Sequence, residues 1–199
     1  MRIIGGSAGG QLLKVPDGFG VRPTPDKVRQ AIFNSLGDRV DGAKVLELFG
    51  GTGALCLECL SRGSASAMVV EKSSKHAEFI RRNAASVGLD GRLHLRVQDA
   101  YGAIHQMADA GQTFDLIFAD PPYGLKNVGK RSESFSQKLL DDPQLPKLLA
   151  EGGLFVLGHT KRDTLQIPEV WTERKEMKHG DTMFRFLEPV TDQSICKKL

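Results

Sequence analysis

Asp120-Pro121-Pro122-Tyr123 closes the apolar run Phe114-Asp115-Leu116-Ile117-Phe118-Ala119, and its residue types point more directly to a reaction than any other stretch of the chain. An acidic group, two prolines without N–H groups and an aromatic ring, delivered at the mouth of a buried strand, make a grip for a flat base with a free amino group. The nitrogen of such an amino group is a poor nucleophile because its lone pair is delocalised into the ring. If Asp120 accepts one N–H and the Pro121 carbonyl accepts the other, the nitrogen is held pyramidal with its lone pair aimed at an electrophile. Aim of this kind supplies most of the barrier lowering in such transfers. Tyr123 stacks on the base once it has left its own stack. The same four residues also suit an ordinary turn after a strand, so their meaning depends on their surroundings.

Upstream, Glu47-Leu48-Phe49-Gly50-Gly51-Thr52-Gly53 lies between an apolar strand pattern and a helix. Ligands of open α/β sheets bind outside the carboxyl ends of the strands, where glycines let the backbone come close. Glu71 ends the next strand, eighteen residues past Gly53, where a carboxylate takes both hydroxyls of a ribose. Asp99 ends the strand after that, in reach of an adenine edge, and is also a good helix N-cap. Glu47, Phe49, Gly51, Gly53, Glu71 and Asp99 together define an adenosine pocket. A nicotinamide dehydrogenase competes for this pattern, but Gly51-Thr52-Gly53-Ala54-Leu55-Cys56 lacks the third glycine of the dinucleotide fingerprint. The methionyl part of S-adenosylmethionine, which carries no net negative charge, fits the loop better than a pyrophosphate.

The elements that must position these groups alternate. Strand patterns run over Val45–Phe49, Ala67–Val70, Leu93–Val97, Phe114–Ala119 and Leu154–Leu157. Helix patterns run over Ala54–Arg62, Lys75–Val87 and Ala100–Ala110, with helical segments near Ser136–Ala150. This is the order of a parallel sheet covered on both faces. Glu169–Met177 and Thr182–Leu187, joined through Lys178-His179-Gly180-Asp181, predict a closing antiparallel hairpin. Before the sheet, two short apolar runs around Gly5-Gly6 and Gly9-Gly10 predict a small hairpin, and Thr24 before Pro25 marks a helix start whose apolar face is Val28, Ala31, Ile32 and Leu36. The predicted organisation is an extension over 1–43, a catalytic domain over 44–189 and a polar tail over 190–199.

With 199 residues the chain is read as one domain. No stretch is long and apolar enough to cross a bilayer and no secretory segment opens the chain, so a cytoplasmic, non-membrane protein is expected. Three cysteines, Cys56, Cys59 and Cys196, are too few for a disulfide framework, and the Cys56-Leu57-Glu58-Cys59 spacing is read as packing inside a helix; no metal is expected. The net charge is only +3, but Arg2, Lys14, Arg22, Lys27 and Arg29 crowd the first thirty residues, and Lys126, Lys130 and Arg131 follow the tetrapeptide. Both groups suit phosphate contacts.

Arg2-Ile3-Ile4-Gly5-Gly6, Arg22-Pro23-Thr24, Ala31-Ile32-Phe33-Asn34-Ser35-Leu36, Val45 to Leu55, Leu60-Ser61-Arg62-Gly63 and the tetrapeptide together resemble the bacterial RsmD family over nearly the whole chain. The glycine loop and tetrapeptide are shared by many amino methyltransferases; the N-terminal blocks are specific to that family. The resemblance implies a Rossmann-like, S-adenosylmethionine-dependent methyltransferase fold with a mostly parallel sheet, acting on the N2 amino group of a guanine in small-subunit ribosomal RNA, within the subunit or an assembly intermediate. It implies Glu47, Gly51 and Gly53 at the methionyl end, Glu71 at the ribose, Asp99 at the adenine, and Asp120 to Tyr123 at the target base. The chain departs from the family in carrying Glu47 for an aspartate, Gly50 for an alanine, Gln11 for a basic residue, and His159 for a glutamate. His159 is therefore assigned no role. A monomer is expected. A DNA adenine or cytosine amino methyltransferase and a non-catalytic RNA-binding module are the alternatives.

Overall fold

The computed structural model describes residues 1–15, 24–122 and 131–190; Arg22, Pro23, Tyr123, Lys126, Lys130, Cys196 and the tail from 191 lie outside the described residues. Seven strands form one sheet: β1 (Lys44–Leu48), β2 (Ser66–Glu71), β3 (Leu93–Val97), β4 (Phe114–Ala119), β5 (Leu149–Thr160), β6 (Trp171–His179) and β7 (Thr182–Pro189). Their order is β3-β2-β1-β4-β5-β7-β6. Strands β1 to β5 run parallel, and β7 pairs antiparallel with both β5 and β6. The order reverses beside β1, with β2 on one side and β4 on the other, which is the position where ligands gather in open α/β sheets.

Helices α1 (Asp26–Leu36), α2 (Ala54–Ser61) and α3 (Ser74–Ser86) cover one face, where Ile32, Leu57 and Ile80 share a core with Val45, Val69 and Phe118. Helices α4 (Ala100–Asp109) and α5 (Phe135–Asp141) cover the other, where Ile104, Met107 and Leu139 pack with Leu46, Ile117 and Phe155. The expected elements all form, with two differences. The fifth strand is far longer than Leu154–Leu157, because it starts at Leu149 and runs through Gly152-Gly153 as an irregularity. Gly152 takes φ 71°, and Gly153 lies so close to its neighbours that a Cβ would stand 2.9 Å from Ala150 O. The helical stretch before it is correspondingly short: α5 stops at Asp141, and only a 3-10 turn over Leu145–Leu148 follows.

The N-terminal strands pair as a minimal antiparallel ladder, with a bridge between Arg2 and Leu12 and the Ile3 N–H donating to Gln11 O at 2.9 Å. Ile3, Ala8 and Leu13 are buried in the core of the sheet's first face, where burial of Ile3 or Leu13 contributes about 2 kcal/mol each. The ladder lies on α2, all eight of whose residues are buried; a helix apolar nearly all round has to be enclosed. The one charged residue in that apolar run is Glu58, fully buried. Its Oε2 accepts from Ile4 N–H at 2.7 Å and its Oε1 from Gly5 N–H at 2.9 Å and Arg62 Nε at 2.8 Å. On α3, Asn83 pairs with the Lys14 peptide as a strand would, accepting from its N–H at 2.8 Å and donating to its carbonyl at 3.0 Å.

Candidate active site

The chain leaves β1 through a loop of unusual backbone. Phe49, Gly51 and Gly53 all take positive φ, at 59°, 54° and 72°, and Gly53 in the left-handed region starts α2. For Phe49 that conformation costs on the order of 1–3 kcal/mol and persists only where the surroundings enforce it. Its ring sits 5.8 Å from that of Phe135 and 6.4 Å from that of Tyr101, so the first residue after β1 is held by the starts of α4 and α5. Tyr101 completes the group by stacking on Phe135 and donating its hydroxyl to Phe135 O at 3.1 Å. At Gly50 a Cβ would stand 2.2 Å from Val69 Cγ1, so the glycine in place of alanine goes with the bulk of Val69 on the neighbouring strand.

Each acidic strand end has a defined setting. Glu47 turns back under the loop, where Oε2 accepts from the Cys56 N–H at 2.9 Å and so satisfies a free donor in the first turn of α2. Burial pushes its carboxyl up to about 7, against the pull of the Cys56 hydrogen bond. Glu71 accepts from Gly51 N–H at 2.8 Å and from Ser73 N–H at 2.7 Å, one to each oxygen, which fixes the carboxylate beside the glycine loop with lone pairs to spare. Asp99 caps α4 by accepting from Tyr101 N–H at 3.1 Å, and its carboxylate is half exposed with Lys72 Nζ 3.6 Å away. Glu71 and Asp99 thus stand at the ends of adjacent parallel strands, Glu71 opposite Val97 in register.

This donor and acceptor set suits adenosyl chemistry. Hydroxyl and amino donors meet carboxylate acceptors, and the loop offers an uncharged backbone. It does not suit a pyrophosphate, because the Gly51 N–H is already spent on Glu71 and that carboxylate would repel a phosphate beside it.

At the end of β4, Asp120 is the group with an unused capability. Its Oδ2 accepts from the Thr24 hydroxyl at 2.9 Å; its Oδ1 is buried and has no hydrogen-bond partner among the described residues. Burial pushes the carboxyl up to about 6, and the Thr24 hydroxyl works against that. Pro121 is buried and Pro122 exposed; Tyr123 lies outside the described residues. β5 comes close beside the acid through Gly158, where a Cβ would stand 2.5 Å from Asp120 Oδ1 and 3.0 Å from Phe184 Cε1. A side chain there has to displace the carboxylate. Gly158→Ala is expected to lower turnover by about 100-fold through misplacement of Asp120 while leaving cofactor affinity within twofold. Steady-state turnover alongside calorimetric cofactor titration checks this, and unchanged turnover refutes it.

Other expectations resolve differently. Arg29 reads as a phosphate contact but is fully buried, donating to Thr24 O at 2.7 Å, to Arg2 O, and to Asp26 Oδ1 at 3.0 Å. Arg131 is drawn to Asp141 at 2.6 Å and Gln166 at 2.7 Å. His159 is a buried, satisfied histidine: Nδ1 donates to Thr160 O at 3.0 Å, and Nε2 accepts from Arg185 Nε at 3.0 Å. Burial and the Arg185 charge both push its pKa down, in keeping with a neutral ring. Cys56 and Cys59 are buried, and burial pushes both thiols well up. Glu58 was detectable as a lone charge inside an apolar helix; Asn83 and Tyr101 carry no comparable mark.

A family model described as Conserved hypothetical protein 95 matches residues 1–188. The curated protein "Putative rRNA methyltransferase YlbH" of Bacillus subtilis is 34% identical over 85% of this chain and 86% of its own length. "Ribosomal RNA small subunit methyltransferase D" of Escherichia coli is 31% identical over 94% of this chain and 89% of its own. Among solved structures, "Putative methyltransferase yhhF from Escherichia coli" superposes with a TM-score of 0.78 at 28% identity, covering 95% of this chain and 97% of that one.

Proposed function

From the premise that the chain belongs to the RsmD family, the Conserved hypothetical protein 95 group, we propose that it methylates the N2 amino group of a guanine in small-subunit ribosomal RNA with S-adenosylmethionine as donor. The observation that carries the reading is the Asp120 carboxylate at the mouth of β4, with one oxygen tied down and the other buried and without a hydrogen-bond partner among the described residues. A buried acceptor without a donor costs about 1–3 kcal/mol, and an incoming amino group removes that cost by hydrogen bonding to it. The names of two relatives, a putative rRNA methyltransferase and a small-subunit rRNA methyltransferase, support RNA as the substrate class.

Gly51, Gly53 and Glu47 hold the methionyl end, Phe49 shapes that loop, Glu71 takes the ribose hydroxyls, and Asp99 takes the adenine edge. Bound S-adenosylmethionine supplies an electrophilic methyl group on sulfur. Asp120 Oδ1 accepts one N–H of the flipped base and the Pro121 carbonyl the other, which keeps the nitrogen lone pair out of conjugation; Tyr123 stacks on the ring. Transfer makes the amino group acidic, so Asp120 need not act as a strong base and water completes the proton loss. The protein works as a cytoplasmic monomer on the subunit or an assembly intermediate. No helix of the described residues is long and apolar enough to cross a membrane.

The test is to incubate the protein with labelled S-adenosylmethionine and, separately, naked small-subunit RNA, subunits from cells lacking this protein, and duplex DNA, then to map the label. Label on a guanine N2 of the RNA is the expected result. Label in duplex DNA alone refutes the substrate, and no transfer to any acceptor refutes the reaction.

A further inference from the structure

We propose that Thr24 is a positioning residue of the active site, and that the N-terminal extension thereby supplies a hydroxyl on which the catalytic carboxylate depends. The inference rests on the reading of Asp120 given above and goes beyond it. As a sequence signal Thr24 marks a helix start, yet it caps nothing. The residue at the α1 N-cap is Pro25, with no side-chain capping bond, and the Thr24 hydroxyl reaches across ninety-six positions of sequence to Asp120 Oδ2 at 2.9 Å.

A carboxylate has two equivalent oxygens and turns easily about its last torsion, so an aspartate at a strand end has no intrinsic preference for which oxygen faces a substrate. A threonine hydroxyl carries a single hydrogen. Once that hydrogen is given to Oδ2, Oδ1 is the oxygen left to accept, and Oδ1 is the buried atom without a described partner, packed against the Gly158 backbone. Threonine is also stiff about χ1, which narrows the directions its hydroxyl can take.

The backbone that carries the hydroxyl is itself anchored. The fully buried Arg29 binds Thr24 O at 2.7 Å with one terminal nitrogen, and with the other it binds Arg2 O and Asp26 Oδ1. One guanidinium therefore ties together the first strand of the N-terminal ladder, the first turn of α1 and the residue touching Asp120. A purely structural threonine at a helix start would not need its hydroxyl aimed into the site, nor a buried arginine holding its carbonyl.

The test compares Thr24→Val, which keeps the shape and removes the hydroxyl, with Thr24→Ser, which keeps the hydroxyl. Asp120→Ala serves as control. Turnover and KM are read with labelled S-adenosylmethionine and subunits from cells lacking this protein, cofactor affinity by calorimetry, and folding by thermal melting. Thr24→Val is expected to lose roughly 10- to 100-fold in kcat, the worth of a hydrogen bond to a charged group, with the KM for S-adenosylmethionine within twofold. Thr24→Ser is expected to stay within about threefold of the parent kcat.

Full kcat in Thr24→Val beside an inactive Asp120→Ala overturns the role of Thr24 and leaves that of Asp120 standing. Full turnover in Asp120→Ala overturns both. Equal losses in the valine and serine variants, accompanied by a lowered melting temperature, reduce Thr24 to a structural residue and overturn the inference as well.

Discussion

Asp120→Asn is expected to lower turnover by about 1000-fold, while S-adenosylmethionine binds within twofold of the parent affinity. The substitution is nearly isosteric, so its effect isolates chemistry from packing. The Thr24 hydroxyl donates at 2.9 Å and has to meet an oxygen, which turns the amide oxygen of the asparagine toward Thr24. The amide NH2 then occupies the place of Oδ1, and two donors face each other where the substrate amino group should be held. The hydrogen bonds of the cofactor side stay in place, because those organising the glycine loop come from Glu71, Glu47 and Asn83. Asp120→Ala removes the acceptor altogether and gives the same division between turnover and binding.

The parent enzyme is also expected to show an acid limb. Burial pushes Asp120 up to about 6, and only the ionised carboxylate offers Oδ1 as an acceptor without a competing O–H, so kcat/KM for the RNA rises with pH through 6. The asparagine variant's residual rate lacks that limb. Single-turnover rates at subsaturating RNA from pH 5 to 8 together with calorimetry decide the matter. Parent-like turnover in the variant, or lost cofactor affinity, refutes the role of Asp120.

The contrast between Asp120 and Thr24 shows what was readable from the sequence and what was not. Asp120 stands at the end of a run of buried residues, and burial on both faces makes a parallel strand visible as a continuous apolar stretch. The same holds for β1 and β2, so the strand ends carrying Glu47 and Glu71 were legible, and the loop glycines marked the helix start between them. Thr24, by contrast, lies in a local context that already accounts for it as a helix start. Its actual partner is remote in sequence, and no periodicity reports a contact of that kind. Arg29 misleads for the same reason: a cationic residue counts as surface charge until the carbonyls of Thr24 and Arg2 and the carboxylate of Asp26 are seen to converge on it. Gly152-Gly153 shortens β5 on paper because a double glycine is ordinarily a turn, whereas here it lets the strand pass close to Phe114. Strand ends are thus encoded locally, whereas the contact of Thr24 with Asp120 is encoded by the packing of the segment before β1 against the end of β4.

That dependence makes Glu58→Ala the most disruptive change expected away from the reacting groups. Glu58 has no exposure, and its oxygens satisfy three donors, the N–H groups of Ile4 and Gly5 and Arg62 Nε. Alanine orphans two backbone donors, each costing about 1–3 kcal/mol, and leaves Arg62, whose guanidinium lies 4.8 Å above the Phe33 ring, without its carboxylate. Removing one member of a buried ion pair costs about 3–5 kcal/mol; Arg62 is partly exposed, so a value near 3 kcal/mol is appropriate here. For a chain of this length that corresponds to a fall of about 10 °C in melting temperature.

The loss is not confined to the ladder. The Gly5 carbonyl, held by the Ser61 hydroxyl at 2.6 Å, and the Arg2 carbonyl, held by Arg29, belong to the same strand, so loosening it frees the guanidinium that anchors Thr24. Glu58→Ala is therefore expected to lower kcat well below the melting temperature, although Glu58 touches no reacting group. Glu58→Gln, which keeps an acceptor for one backbone N–H, is expected to fall between the two in both measurements. Denaturant titration gives the stability change and turnover at 25 °C the coupling. A variant as stable as the parent contradicts the energetic assignment, and a destabilised variant with parent-like kcat contradicts the link from the N-terminal ladder to Asp120.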